Sequence, residues 1–168
     1  MSTSPWALPQ LPTWETAHPL VVHLPIGLLA VVPLFAVWAM VAGGNRRTVG
    51  WVVMLLMLIG TTGAVIAAKT GEYTMAVAEA GMAGGFMDQH ADMGELARNW
   101  FLWVAAGYGV ITILSTILKD RIKRPVWIGA HMIWLVAFGA AFLVLANAGH
   151  MGARLVHEFG VRAPMREK

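Results

Sequence analysis

The chain contains no cysteine. That absence excludes structural disulfides, thiolate zinc sites, iron–sulfur clusters held by cysteine and covalent attachment of c-type haem. It leaves the redox compartment open. Charge is scarce as well. Only 12% of the 168 residues are Asp, Glu, Lys or Arg, against roughly a quarter in a soluble domain. The formal net charge of +3 is small and scattered, so nothing points to nucleic acid. No Walker motif, Rossmann fingerprint or hydrolase triad is present. No internal repeat or low-complexity segment stands out.

What remains is apolar. Hydrophobic residues make up 58% of the chain, and the mean hydropathy is +0.64. Four hydrophobic runs can be marked off: Leu20 to Ala42, Val49 to Ala68, Trp100 to Leu118 and Val126 to Ala148. Each is near the roughly 20 residues needed to cross about 30 Å of hydrocarbon. None carries the polar face of a soluble amphipathic helix. The first run lacks a basic n-region and a small-residue cleavage site and is too long for an h-region, so it is expected to be a span, not a cleaved signal. The predicted fold is an all-α integral membrane protein, a four-transmembrane-helix bundle over residues 18–160. A Pro-, Ser- and Thr-rich outer tail (1–17) precedes it and a short tail (161–168) follows.

Basic residues set the expected orientation. Arg46 and Arg47 lie between the first two runs, and Lys119, Arg121, Lys123 and Arg124 between the last two. The positive-inside rule puts both short links in the cytoplasm and hence both termini outside. The Thr70 to Ala97 link, with Glu72, Glu79, Asp88, Asp92 and Glu95, is then outside too. The basic tail (Arg154, Arg162, Arg166, Lys168) argues weakly the other way. Trp14, Trp100 and Trp103 fall at the outer interface, and Trp38, Trp51 and Trp127 at the inner one, as interfacial aromatic belts require.

Five of the six histidines gather at the outer end: His18, His23, His90, His150 and His157. An ionisable ring at membrane depth is a functional-site hypothesis, and neutral imidazole is the commonest metal ligand. His18 precedes Pro19 and reads as a helix N-cap, with His23 about a turn deeper. The five-residue step is about 500° of helix rotation, so the two face different ways. His150 and His157 share a face if their helix continues past Gly152. His131 is the exception, roughly 28 Å along the helix from His150. It is expected to bridge helices by a hydrogen bond of about 0.6 kcal/mol and to be dispensable for an outer cofactor; an inner haem with Met54 or Met57 is its alternative use.

These motifs resemble a known family. HPLVVHLPIGLL at the first span, AAKTGEY at the end of the second, HADMGELA before the third and GHMGARLVHEFGV near the C-terminus together frame nearly the whole chain. They are similar to the bacterial membrane proteins grouped as domain of unknown function 2231. Against that pattern, Ala153 replaces a second Gly, His157 stands where Tyr is usual and Phe159 where His is usual. The resemblance implies no assigned activity. The fusion of some relatives to a Rieske-type domain implies electron transfer.

The residues support three classes of function. The first is haem b binding with electron transfer. His23 and His150 are the expected axial ligands and metal-binding residues. His18 and His90 form a second pair or support the first, and Arg98 and Arg154 would pair with propionates. Gly149 and Gly152 would let a planar group approach. The second is a zinc or copper site built from three or four outer histidines, with Glu72 or Glu95 as a further candidate ligand. The third is a non-catalytic anchor in a larger complex. Expected partners are the lipid bilayer, redox membrane subunits or a periplasmic electron carrier. Lys69 is expected to snorkel to the outer interface. Small residues at Gly60, Gly63, Ala64, Ala67, Gly139 and Ala140 are expected to pack helices closely.

Overall fold

The computed structural model describes residues 12–14, 16–78 and 83–161. Most of the expected outer tail, Glu79 and the basic residues Arg162, Arg166 and Lys168 therefore lie outside the described residues. Helices are α1 (His18–Val21), α2 (His23–Val41), α3 (Arg46–Val77), α4 (Gly84–Leu118) and α5 (Arg124–His157). Val22 between α1 and α2 keeps helical angles, so His18–Val41 is one span of 24 residues. Among the described residues, four helices are long and apolar enough to cross a membrane. The protein is an all-α, four-helix membrane bundle.

Local chemistry explains the breaks. Gly43 takes φ +56 just after α2, a left-handed conformation that glycine adopts without a Cβ clash. A short 3₁₀ turn over Gly43–Asn45 then feeds α3. Pro19 and Pro125 sit in the first turns of their helices, where a missing N–H costs nothing. Lys119, at φ 50, ends α4. At the end of the bundle away from the basic links the apolar runs are continued by polar helix: α3 carries on to Val77, α4 begins sixteen residues before Trp100, and α5 runs on to His157.

The four spans run up, down, up and down. α2 packs on α3, α3 on α4, α4 on α5, and α2 on α5, closing the bundle. Its core includes Leu29, Val32, Val53, Met57, Phe101, Tyr108, Trp134 and Phe138. Large apolar side chains also face outward, among them Leu34, Ile133, Val136 and Leu143. In water such faces would be a liability; in a bilayer they are the surface that lipid covers. Small residues bring α2 and α3 together as expected. A Cβ on Gly60 would stand 2.8 Å from Cδ2 of Leu29, and one on Gly63 would stand 3.2 Å from Cδ of Pro25. Gly139 and Ala140 depart from that expectation: Ala140 is exposed, and a Cβ on Gly139 would meet nothing within 4 Å.

Both basic links lie at one end. Arg46 donates from Nη2 to the carbonyl of Ile122 at 3.0 Å and lies over the Trp127 ring. Trp38 and Trp51 are exposed near that end, whereas Trp127 is 2% exposed. The expectation that Trp127 belongs to the interfacial belt is corrected. Its indole N–H donates to the carbonyl of Ala39 at 2.9 Å, which draws the ring into the packing of Ala39 and Val49.

Candidate functional site

At the opposite end, two histidines are held in matching ways. His18 opens α1, and its Nδ1–H donates to the carbonyl of Ala67 on α3 at 2.9 Å. The Thr70 hydroxyl stands 3.4 Å from the same nitrogen and itself donates to Ala67. His90 lies in the first part of α4, and its Nδ1–H donates to the carbonyl of Ala148 on α5 at 3.0 Å. A carbonyl only accepts, so each Nδ1 carries a proton, and in the neutral form of each ring the lone pair lies on Nε2. The two ring centroids are 6.2 Å apart, with planes inclined at 73°.

Each imidazole rests against a glycine one turn beyond its carbonyl partner. A Cβ on Gly71 would lie 3.2 Å from Cε1 of His18, and a Cβ on Gly152 would lie 3.1 Å from Cε1 of His90. The unit is thus a histidine on one helix and an Ala-x-x-x-Gly step on the next, present twice: Ala67 to Gly71 and Ala148 to Gly152. It went unread in the sequence, where no repeat stood out. The two histidines reach partners 49 and 58 residues away, and three positions per unit with unequal spacing make no visible self-similarity.

The other sequence candidates are placed differently. His18 is the first helical residue, one position inside the expected cap, which is Ala17. His23 and His150 are both exposed, and the histidine ring pair among the described residues is His18 with His90. The expected axial pair, His23 with His150, is therefore not the pair the bundle brings together. The rotation of about 140° left over from five residues turns His23 away when His18 faces α3. α5 does continue past Gly152, and His157, like His150, is exposed. Gly152 receives the His90 ring, while a Cβ on Gly149 would meet nothing within 4 Å.

The charged candidates have partners on their own helices. Arg98 pairs with Glu95 at 3.6 Å and donates to Asn99 at 3.2 Å. Arg154 donates from Nε to both carboxylate oxygens of Glu158 at 2.9 Å and lies over the Phe86 ring. The Arg154 hydrogen bond holds the Glu158 carboxyl below its ordinary range. Lys69 reaches Glu72 at 2.8 Å with both side chains exposed, which fits its expected outward course. Among the described residues, no three His, Asp or Glu side chains gather as metal ligands.

His131 makes the interhelical bridge expected of it. Its Nδ1–H donates to the carbonyl of Trp127 at 2.9 Å, and its Nε2 accepts from the Tyr108 hydroxyl at 3.1 Å. Both ring nitrogens are engaged and the residue is fully buried, so in this structure neither nitrogen is free to ligate an inner haem alongside Met54 or Met57.

Helical spans on all sides, carbonyl-anchored imidazoles at one end and basic links at the other define a multi-pass membrane protein. The chain belongs to the DUF2231 family of predicted membrane proteins, whose model matches residues 15–164. No curated protein matches the chain. No solved structure matches it either.

Proposed function

We propose that the protein binds haem b through His18 and His90 and passes electrons at the outer face of a bacterial inner membrane. One observation carries this reading: two imidazoles, each fixed through Nδ1–H to a backbone carbonyl, with centroids 6.2 Å apart. With metal–imidazole bonds of about 2.0 Å, and each nitrogen about 1.1 Å from its ring centre, an ion held in line between two imidazoles would set the centroids about 6.2 Å apart. Fixing the other ring nitrogen to a carbonyl is how proteins orient a ligating histidine. The donor set also favours haem. A zinc site asks for three or four protein ligands, and two histidines without a third ligand suit axial coordination of an iron already held by a porphyrin. Bound there, haem would supply one-electron redox chemistry. The chain would supply the axial nitrogens, fix their tautomer and shield the site with the surrounding helices. Arg98 and Arg154 remain the candidates for propionate partners, each exchanging its present carboxylate for a propionate.

The orientation supports an outer site. Both basic links lie at the end away from His18 and His90, and the positive-inside rule assigns that end to the cytoplasm. Redox subunits or a periplasmic electron carrier would be the partners. The test is a reduced-minus-oxidised visible spectrum, with pyridine haemochrome quantitation, of the full chain purified in detergent. One haem b per chain is the expected result. A preparation from haem-replete cells without a Soret band overturns the proposal.

A further inference from the structure

An open groove of about 430 Å³ runs between α4 and α5 at the same end of the bundle. It is lined by Gln89, Asp92 and Met93 from α4 and by Asn147, His150 and Met151 from α5. Its size falls in the range of small-molecule sites, about 300–1,000 Å³. Each helix contributes the same register, positions i, i+3 and i+4, which is one stripe of an α-helix. The stripes border the site described above. His90 follows Gln89 in the chain, Ala148 follows Asn147, and those two residues are hydrogen-bonded.

The lining selects a chemical class. Among the described residues no Lys or Arg lines the groove and Asp92 does, which disfavours a phosphate headgroup through like-charge repulsion. The space is wide for a lone ion, which needs donors within about 2.0–2.5 Å. Asn147 and Gln89 each offer an amide that donates and accepts, His150 can do either, and Asp92 accepts from hydroxyls. Met93 and Met151 bring thioethers that favour contact with aromatic rings. One turn toward the bundle centre, exposed Leu96 and Leu143 continue the two stripes with apolar surface.

We infer that this groove binds the head ring of a lipid-soluble quinone or hydroquinone. The ring's oxygens meet Asn147, His150, Gln89 and Asp92, its faces meet Met93 and Met151, and its tail runs along Leu96 and Leu143. The choice of a redox-active ring over another planar phenol rests on the haem reading. The groove's binding of the ring does not.

The test is photolabelling of the full chain in lipid nanodiscs with a short-tailed azido-benzoquinone, followed by peptide mapping and a visible spectrum of the same samples. Label is expected on the peptides holding Met93 and Met151, displaced by unlabelled short-tailed benzoquinone but not by added phospholipid. His150→Leu with Asn147→Leu should lower it at least tenfold, and Gly149→Ala should leave it unchanged. Label on other segments, label unaffected by the double variant, or displacement by phospholipid overturns the inference. So does an absence of label with stoichiometric binding of copper(I) that His150→Leu removes. Label at the groove in a chain without haem supports the groove and sinks the haem reading. Haem without label does the reverse. A double variant that loses helical circular dichroism is replaced by Asn147→Leu alone, which must then lower the label.

Discussion

Gly152 lies flat against the imidazole of His90: a Cβ added there would stand 3.1 Å from Cε1 and 3.5 Å from Nε2. Gly71 stands to His18 in the same way, at 3.2 Å from Cε1. Neither contact is with a flexible chain end. Each imidazole is held by its carbonyl bond, so it can move off the added methyl only by straining that bond. Gly152→Ala and Gly71→Ala should each cost about 1–3 kcal/mol as overpacking and lower haem content or shift the Soret band. Gly149→Ala, whose Cβ meets nothing within 4 Å, should change neither. Thermal melts in detergent and the haem-to-protein ratio measure both effects. Equal behaviour of the three variants would remove the case for a fitted histidine cradle.

The ligand assignment has a sharper test. On the proposed haem reading, His18→Ala and His90→Ala should each abolish the haem spectrum while the chain still inserts in the membrane. His23→Ala and His150→Ala should retain it, because both of those residues are exposed. If removal of His23 or His150 bleaches the spectrum and removal of His18 does not, the axial pair read from the sequence is restored.

The architecture was legible because it rests on bulk properties. Four apolar runs of about bilayer length leave a helical bundle as the economical answer, since every backbone polar group must be satisfied within its own segment. The grouping of histidines at one end of the bundle was legible too, because position along a helix gives depth. The pairing was not. Depth says nothing of azimuth, and which imidazole turns inward depends on which neighbouring helix offers a carbonyl beside a small residue. Ala67 with Gly71 and Ala148 with Gly152 make that offer, yet in the sequence they read as ordinary packing residues. Trp127 misled for a related reason. An indole near a span end fits the interface equally well until a carbonyl such as that of Ala39 claims its N–H.

Close packing between the first two spans carries a prediction separable from any cofactor. A Cβ on Gly60 would stand 2.8 Å from Cδ2 and 2.9 Å from Cγ of Leu29. Leu29 is fully buried in the main core, so it has no free volume to enter. Gly60→Ala should destabilise by about 1–3 kcal/mol. Gly27→Ala, with nothing within 4 Å of the new methyl, should be neutral within about 0.5 kcal/mol. Denaturation in mixed detergent micelles compares them, and equal stability of the two would mean that α2 and α3 do not approach as described.

His131 separates structural from cofactor roles. The sequence expectation gave its hydrogen bond about 0.6 kcal/mol and hence little cost on removal. The structure raises that cost. The ring is fully buried, accepts the Tyr108 hydroxyl at 3.1 Å and packs on Trp127 with centroids 4.1 Å apart. His131→Ala would leave a cavity and strand the Tyr108 hydroxyl in an apolar core, where an unmet hydrogen bond costs about 1–3 kcal/mol. A loss of at least about 2 kcal/mol is expected from these two effects together. Adding Tyr108→Phe removes the stranded hydroxyl, so the double variant should recover about 1 kcal/mol relative to the sum of the single changes. The haem spectrum should be unchanged throughout, because His131 lies roughly 25 Å of helix from the Ala148 carbonyl that fixes His90. Loss of half the haem in His131→Ala, with secondary structure intact, would reveal a second cofactor at the inner end and break the single-site account.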